Sequence, residues 1–118
     1  MTGHGMNPNA ILLAAAKASV PGERLPQLVR KIATDLSTSI DTYRRSYECV
    51  YEDASVAVFL VEQGHWTNRR SKFEINQREA DAVKRAHAEH LKLLGTRLNR
   101  RTEFETALEL REAVVIPQ

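Results

Sequence analysis

The sequence predicts an α+β domain, mostly helical, in which two long amphipathic helices frame a small three-stranded antiparallel meander. Three observations lead there. Apolar residues recur at steps of three and four over residues 25–47 and again over 80–98. Between these stretches, YECVYEDASVAVFLVEQGHWTNRRSKFEI (residues 47–75) changes to alternation and to residues that favour strands. Five glycines and four prolines in 118 residues leave little room for long irregular tracts. The same stretch also admits an all-α reading. Asp53 can cap a helix, Gly64 can end it, and Tyr43, Tyr47 and Tyr51 stand four apart.

Taken in order, residues 1–6 read as a disordered tail, and Asn7-Pro8 is a helix start with Asn as cap and Pro at the first helical position. The helix that follows runs through Ile11, Leu12, Leu13 and a string of alanines. It is apolar nearly all round, so it is buried or covered by a partner. Val20-Pro21-Gly22 ends it. A second helix runs from near Pro26 to about Arg45, with Leu25, Val29, Ile32, Leu36, Ile40, Tyr43 and Tyr47 on one stripe.

The meander follows, with strands over 46–52, 55–62 and 69–75. Asp53-Ala54 makes the first connection, without the glycine that favours such turns. The second, GHWTN, displays His65 and Trp66 beside Arg69 and Arg70. The near-continuous apolar second strand belongs in the middle. Val50, Ala57, Phe59 and Val61 would lie on a face needing cover from the first helix or another subunit.

The third helix opens at Asn76, where Glu79 completes a capping box, and carries Ala80, Val83, His87, Leu91, Leu94 and Leu98 on its stripe, with Gly95 a weak point near its end. Thr102 and Glu105 repeat the capping box for a last helix with Phe104, Ala107, Leu108 and Leu110. AVVIPQ reads as a short strand or an extended tail docked on the core.

Composition bounds the function. The 118 residues form one domain, with 42% hydrophobic and 27% charged residues and a formal net charge of +2. A single cysteine, Cys49, excludes an internal disulfide and suits a reducing, cytoplasmic setting. No apolar run reaches the roughly 18 residues of a membrane span, and no basic residue precedes the N-terminal apolar stretch, so neither a membrane anchor nor a secretory signal is expected.

No constellation for catalysis stands out. Cys49 has no motif around it, the serines lie in no nucleophile elbow, and there is no glycine-rich phosphate loop. His87 and His90 flank Glu89 at a spacing that metal ligands can use, but further ligands at recognisable offsets are lacking, so no metal and no cofactor are expected.

Charge is placed unevenly. Arg69, Arg70 and Lys72 lie together without an acid, and Lys92, Arg97, Arg100 and Arg101 form a second such run. Glu103, Glu105, Glu109 and Glu112 then follow. Beside Arg69 and Arg70, Trp66 can stack on a base while the arginines meet phosphates, or it can close the edge of the core. The segment RSKFEINQREADAVKRAHAEHLKLLGTRLNRRTEFETAL has the order strand, helix, glycine-containing turn, helix, and loosely resembles a ribbon-helix-helix DNA-binding domain. The resemblance implies Lys72 and Glu74 facing the major groove and Arg100, Arg101 and Thr102 at the phosphate. The first helix is several residues longer than in that family and the strand is not N-terminal.

The leading expectation is a non-catalytic interaction module that forms homo-oligomers and binds a protein partner, with Val83, His87, Leu91, Leu94 and Phe59 as interface candidates. The alternative is a small DNA- or RNA-binding protein using His65, Trp66, Arg69, Arg70, Lys72, Arg97, Arg100 and Arg101. A third is a small enzyme with a site at a dimer interface around His65 or His87.

Overall fold

The computed structural model describes residues 5–18 and 20–118. It is an α+β structure, mostly helical, in which helices surround one three-stranded antiparallel sheet. None of the helices among the described residues is long and apolar enough to cross a membrane.

Helix α1 (Pro8–Lys17) starts where Asn7 caps it, its side chain accepting the Asn9 N–H at 2.8 Å. Residues 1–4 of the expected tail lie outside the described residues. Gly5 and Met6 are not a tail: Met6 is buried, and Gly5 turns with φ +66° against Val56 and Pro117. Helix α2 (Arg24–Thr38) buries Leu25, Leu28, Val29, Ile32, Ala33 and Leu36 along one stripe. The helix expected to continue to Arg45 instead breaks at Ser39 and restarts as α3 (Ile40–Ser46). The run Ser37-Thr38-Ser39 explains the break. The Ser37 and Thr38 hydroxyls donate to the carbonyls of Ala33 and Asp35, competing with the helical backbone.

Strands β1 (Glu48–Glu52) and β2 (Val56–Glu62) form a hairpin, with a register shift between Cys49 and Tyr51. Its turn needs no glycine, because Asp53 Oδ1 accepts the N–H groups of both Ser55 and Val56. The chain then turns at Gly64 (φ +90°) into two short helices, α4 (His65–Asn68) and α5 (Arg70–Phe73). The expected third strand over 69–75 is therefore helical. Its alternation has another cause: Glu74, in the left-handed conformation (φ 57°), ends α5 so that Phe73 and Ile75 both turn inward.

Helix α6 (Gln77–Leu98) begins with the expected capping box. Asn76 Oδ1 accepts the Glu79 N–H at 2.8 Å and Glu79 Oε1 accepts the Asn76 N–H at 3.0 Å. It ends at Asn99 (φ 60°), with Asn99 N–H on Thr96 and Arg100 N–H on Gly95, the two bonds of a Schellman motif. Helix α7 (Arg101–Leu110) follows at once, and Thr102 is already inside it. The second capping box does not form, and Arg100 occupies the cap position without a side-chain bond to the helix's leading N–H groups. Gly95 is tightly packed inside α6; a Cβ there would meet Phe104 Cδ2 at 2.9 Å and Arg101 Cα at 3.0 Å.

The third strand is β3 (Arg111–Pro117), and the sheet order is β1-β2-β3. The central place expected for β2 holds, and Val56–Val61 are all buried. Phe59 stands opposite Val114 and Val58 opposite Val115. The chain that joins β2 to β3 contains all of α4–α7, so the third strand of the antiparallel sheet comes after the helices and not directly after the second turn. The outer edge of β3 is closed by side chains. Trp66 Nε1 donates to Ala113 O at 3.1 Å and Val115 N–H donates to His87 Nδ1 at 2.8 Å, while Ser37 Oγ lies 3.3 Å from Pro117 O. Helices α2 and α6 touch β3, and α1 packs on α6.

Candidate functional site

The chemically loaded side chains gather beneath the turn after β2, but inside the molecule. His65 and Trp66, expected on the surface, are buried. The turn folds inward because Glu112 of β3 draws it there. Its carboxylate accepts the N–H groups of Gly64 (2.8 Å) and Trp66 (3.0 Å), capping the start of α4, and Lys84 Nζ stands 3.5 Å away. Sequence reading missed Glu112, whose bonding partners lie 46 and 48 residues away.

His65 bridges two elements. Its Nδ1 is 2.9 Å from Glu62 Oε2 and its Nε2 is 2.7 Å from the Tyr43 hydroxyl. The carboxylate can only accept, so the imidazole carries its proton on Nδ1 and takes the phenol proton at Nε2. Burial pushes the His65 pKa down, against the pull of Glu62. Burial also pushes Tyr43 up to about 12, opposed by the nearby Arg69 guanidinium. A carboxylate–imidazole–phenol chain has the connectivity of a proton relay. Here Tyr43 is buried and its phenol is far from ionising at neutral pH, and the chain of bonds joins β2, α4 and α3.

His87, the other histidine considered for catalysis, packs its ring 4.5 Å from Trp66 and accepts the Val115 N–H. Burial holds its pKa at about 3, with His90 and His65 adding to the effect. His90 accepts the Asn7 N–H at 3.1 Å, and burial followed by the Arg97 charge holds it at about 4. Both histidines thus spend Nδ1 on a main-chain N–H.

The proposed oligomer stripe is core. Val83, His87, Leu91, Leu94 and Phe59 are all buried within the chain. Among the described residues, the large apolar side chains that are exposed are Leu12 (67%), Leu13 (39%) and Leu110 (74%). Leu12 and Leu13 belong to the helix whose apolar residues run all round it.

Several of the basic residues have partners within the chain. Arg70 Nε donates to Thr67 O, and Lys72 lies 3.9 Å from Asp35. Arg100 is paired with Glu103 at 2.6 Å and Arg101 with Glu105 at 2.7 Å, so two members of the second basic run pair with the acidic run at helical spacing. With 69–75 helical, Lys72 and Glu74 lie on no ribbon.

An open groove of about 1390 Å³ lies between the start of α1, the β1–β2 turn, the α2–α3 junction and the second half of α6. Met6, Ile40, Val56, Leu93 and Leu94 give it an apolar lining, and Tyr51, Asp53 and Arg97 a polar one. Asp53 Oδ2 accepts the Tyr51 hydroxyl at 2.7 Å, and that hydroxyl accepts from Arg97 Nη2 at 3.1 Å.

The chain belongs to the family described as a domain of unknown function (DUF8048), which matches residues 4–118. No curated protein and no solved structure matches it.

Proposed function

We propose that this family member is a non-catalytic binding domain that docks onto a second copy of itself through the outward face of α1. The observation that carries the reading is the exposure of Leu12 and Leu13 on a helix whose inner face is already filled by Ala10, Ile11 and Ala14. Fully burying an exposed leucine side chain contributes roughly 1.5–3 kcal/mol, and Leu12 and Leu13, 67% and 39% exposed, each have part of that to gain across a two-fold interface. From Pro8 to Ala16 the helix has no charge, and Asn9 and Ala16 beside the leucines are small. Such a face meets its own copy without setting like charges together, as a two-fold contact requires. The interface expected on α6 is replaced by α1 because the α6 stripe is consumed by the core. Cytoplasmic residence belongs to the same reading: Cys49 is an exposed lone thiol, which a reducing compartment keeps unpaired.

The test is sedimentation equilibrium from low micromolar to near-millimolar protein. The wild type should move towards twice the monomer mass as concentration rises. Leu12→Glu/Leu13→Glu should stay monomeric with unchanged circular dichroism and thermal midpoint. A wild type that is monomeric throughout that range would mean the α1 face has another role.

A further inference from the structure

We propose that the groove beside α1 binds an apolar chain ending in a carboxylate, a fatty-acid-like small molecule, with Arg97 as the residue that recognises its anionic end. The apolar part of the proposal rests on the bed formed by Ile40, Val56, Leu93 and Leu94, continuous with Met6.

The charged part rests on how the two opposite charges of the groove are used. Asp53 is engaged by three donors: Oδ2 accepts from Tyr51, and Oδ1 accepts from the N–H groups of Ser55 and Val56. Those bonds keep its carboxyl below the usual carboxylate range, with Tyr51 the largest cause. Arg97 is exposed, gives one donor to the Tyr51 hydroxyl, and has no carboxylate within ion-pair distance among the described residues. A guanidinium has five donors in a planar fork that suits a carboxylate. The Tyr51 ring, 5.9 Å from the guanidinium carbon, holds that fork in place at the groove. Arg97 is thus a groove cation with donors to spare, and a carboxylate matches its fork.

A peptide strand is a poorer occupant. The main-chain groups of the turn that a peptide would need are already paired. Asp53 N–H is on Val56 O, Ser55 O accepts from Gln118 N–H, and the Gln118 side chain covers Asp53 O and Val56 O. What remains for recognition is apolar contact and the Arg97 charge, and a carboxylate on a hydrocarbon chain uses both.

The experiment is calorimetric titration of the full chain with decanoate, decanol and decyltrimethylammonium, each below its micelle threshold. Decanoate should bind at least tenfold more tightly than decanol, and the cation should not bind. Arg97→Gln should lower decanoate to the level of decanol, whereas Tyr51→Phe, which keeps the charge, should retain the preference. Equal binding of decanoate and decanol to the wild type, no binding of decanoate, or an unchanged preference in Arg97→Gln would each overturn the proposal. Repeating the titration in Leu12→Glu/Leu13→Glu separates it from self-association, since groove binding should persist in a monomer.

Discussion

His87 Nδ1 accepts the main-chain N–H of Val115 at 2.8 Å, so a helix side chain occupies a hydrogen-bonding position that an additional strand would otherwise fill. Replacing His87 by Leu leaves that N–H buried without an acceptor, at a cost of about 1–3 kcal/mol. The check is a urea midpoint together with amide exchange at Val115, which should accelerate selectively. His87→Asn, whose Oδ1 can stand near the place of Nδ1, should recover part of the loss. Full stability in His87→Leu would show that the bond contributes nothing net.

The two α6 histidines make stability depend on pH in a defined window. Folded His87 and His90 stay neutral down to about 3 and about 4, whereas their ordinary value is 6.5. Between those values the unfolded chain binds more protons, so stability is complete above 6.5 and falls as pH drops below it. Each histidine contributes a slope of up to about 1.4 kcal/mol per pH unit. Denaturation midpoints from pH 7 to 5.5, above most of the range where ordinary carboxylates titrate, should show this loss. His90→Asn, which keeps an acceptor for Asn7, should flatten the curve by about one proton. A profile level between pH 6.5 and 5.5 would contradict it.

Gly95→Ala should destabilise, although alanine in place of glycine inside a helix ordinarily gains about 1 kcal/mol. A methyl at this position meets Arg101 Cα and the Arg100 carbonyl as well as Phe104, and backbone atoms cannot step aside. The expected net loss is about 1–3 kcal/mol, read as a lower thermal midpoint. A gain would mean that α7 shifts freely against α6.

Trp66 should emit like a tryptophan in an apolar interior and resist quenching by iodide, since its ring is buried and its indole N–H is bonded to Ala113. Adding single-stranded DNA should leave the emission unchanged. A quench by either agent would restore the stacking role expected from its neighbourhood in sequence.

What was legible in the sequence follows the range of the interactions. Asn7 and Asn76 mark their helices because a cap and its target lie within three residues. The β1–β2 hairpin was visible in its alternation. The third strand was not, because Phe73 and Ile75 alternate with polar residues much as a strand would. The contest between 69–75 and 111–117 is settled by tertiary demand. A central strand buried along its whole length takes the neighbour with an apolar run, Ala113–Ile116, over one carrying Arg69, Arg70, Lys72 and Glu74. The burial of His65 and Trp66 depends on Tyr43, Glu112 and Ala113, 22 to 47 residues distant, and no local pattern encodes it. Pairing of Arg100 with Glu103 and Arg101 with Glu105 was readable at helical spacing once a helix was placed there, and it ties two residues of the second basic run to acids of the same segment. The exposed leucines of α1 were foreshadowed by a helix with no polar face.

On the ribosome, β2 is synthesised long before its second neighbour, since Glu62 pairs with Arg111 and Val56 with Pro117. Until that final segment emerges, the hairpin presents a bare, oily strand to other nascent chains. Glu52 and Asp53 at one end and Glu62 at the other flank it with negative charge, the kind of gatekeeping that discourages intermolecular stacking. Completion of the sheet is therefore a late, long-range event, slow compared with helix formation, and the interval before it is when this chain is most exposed to misassembly.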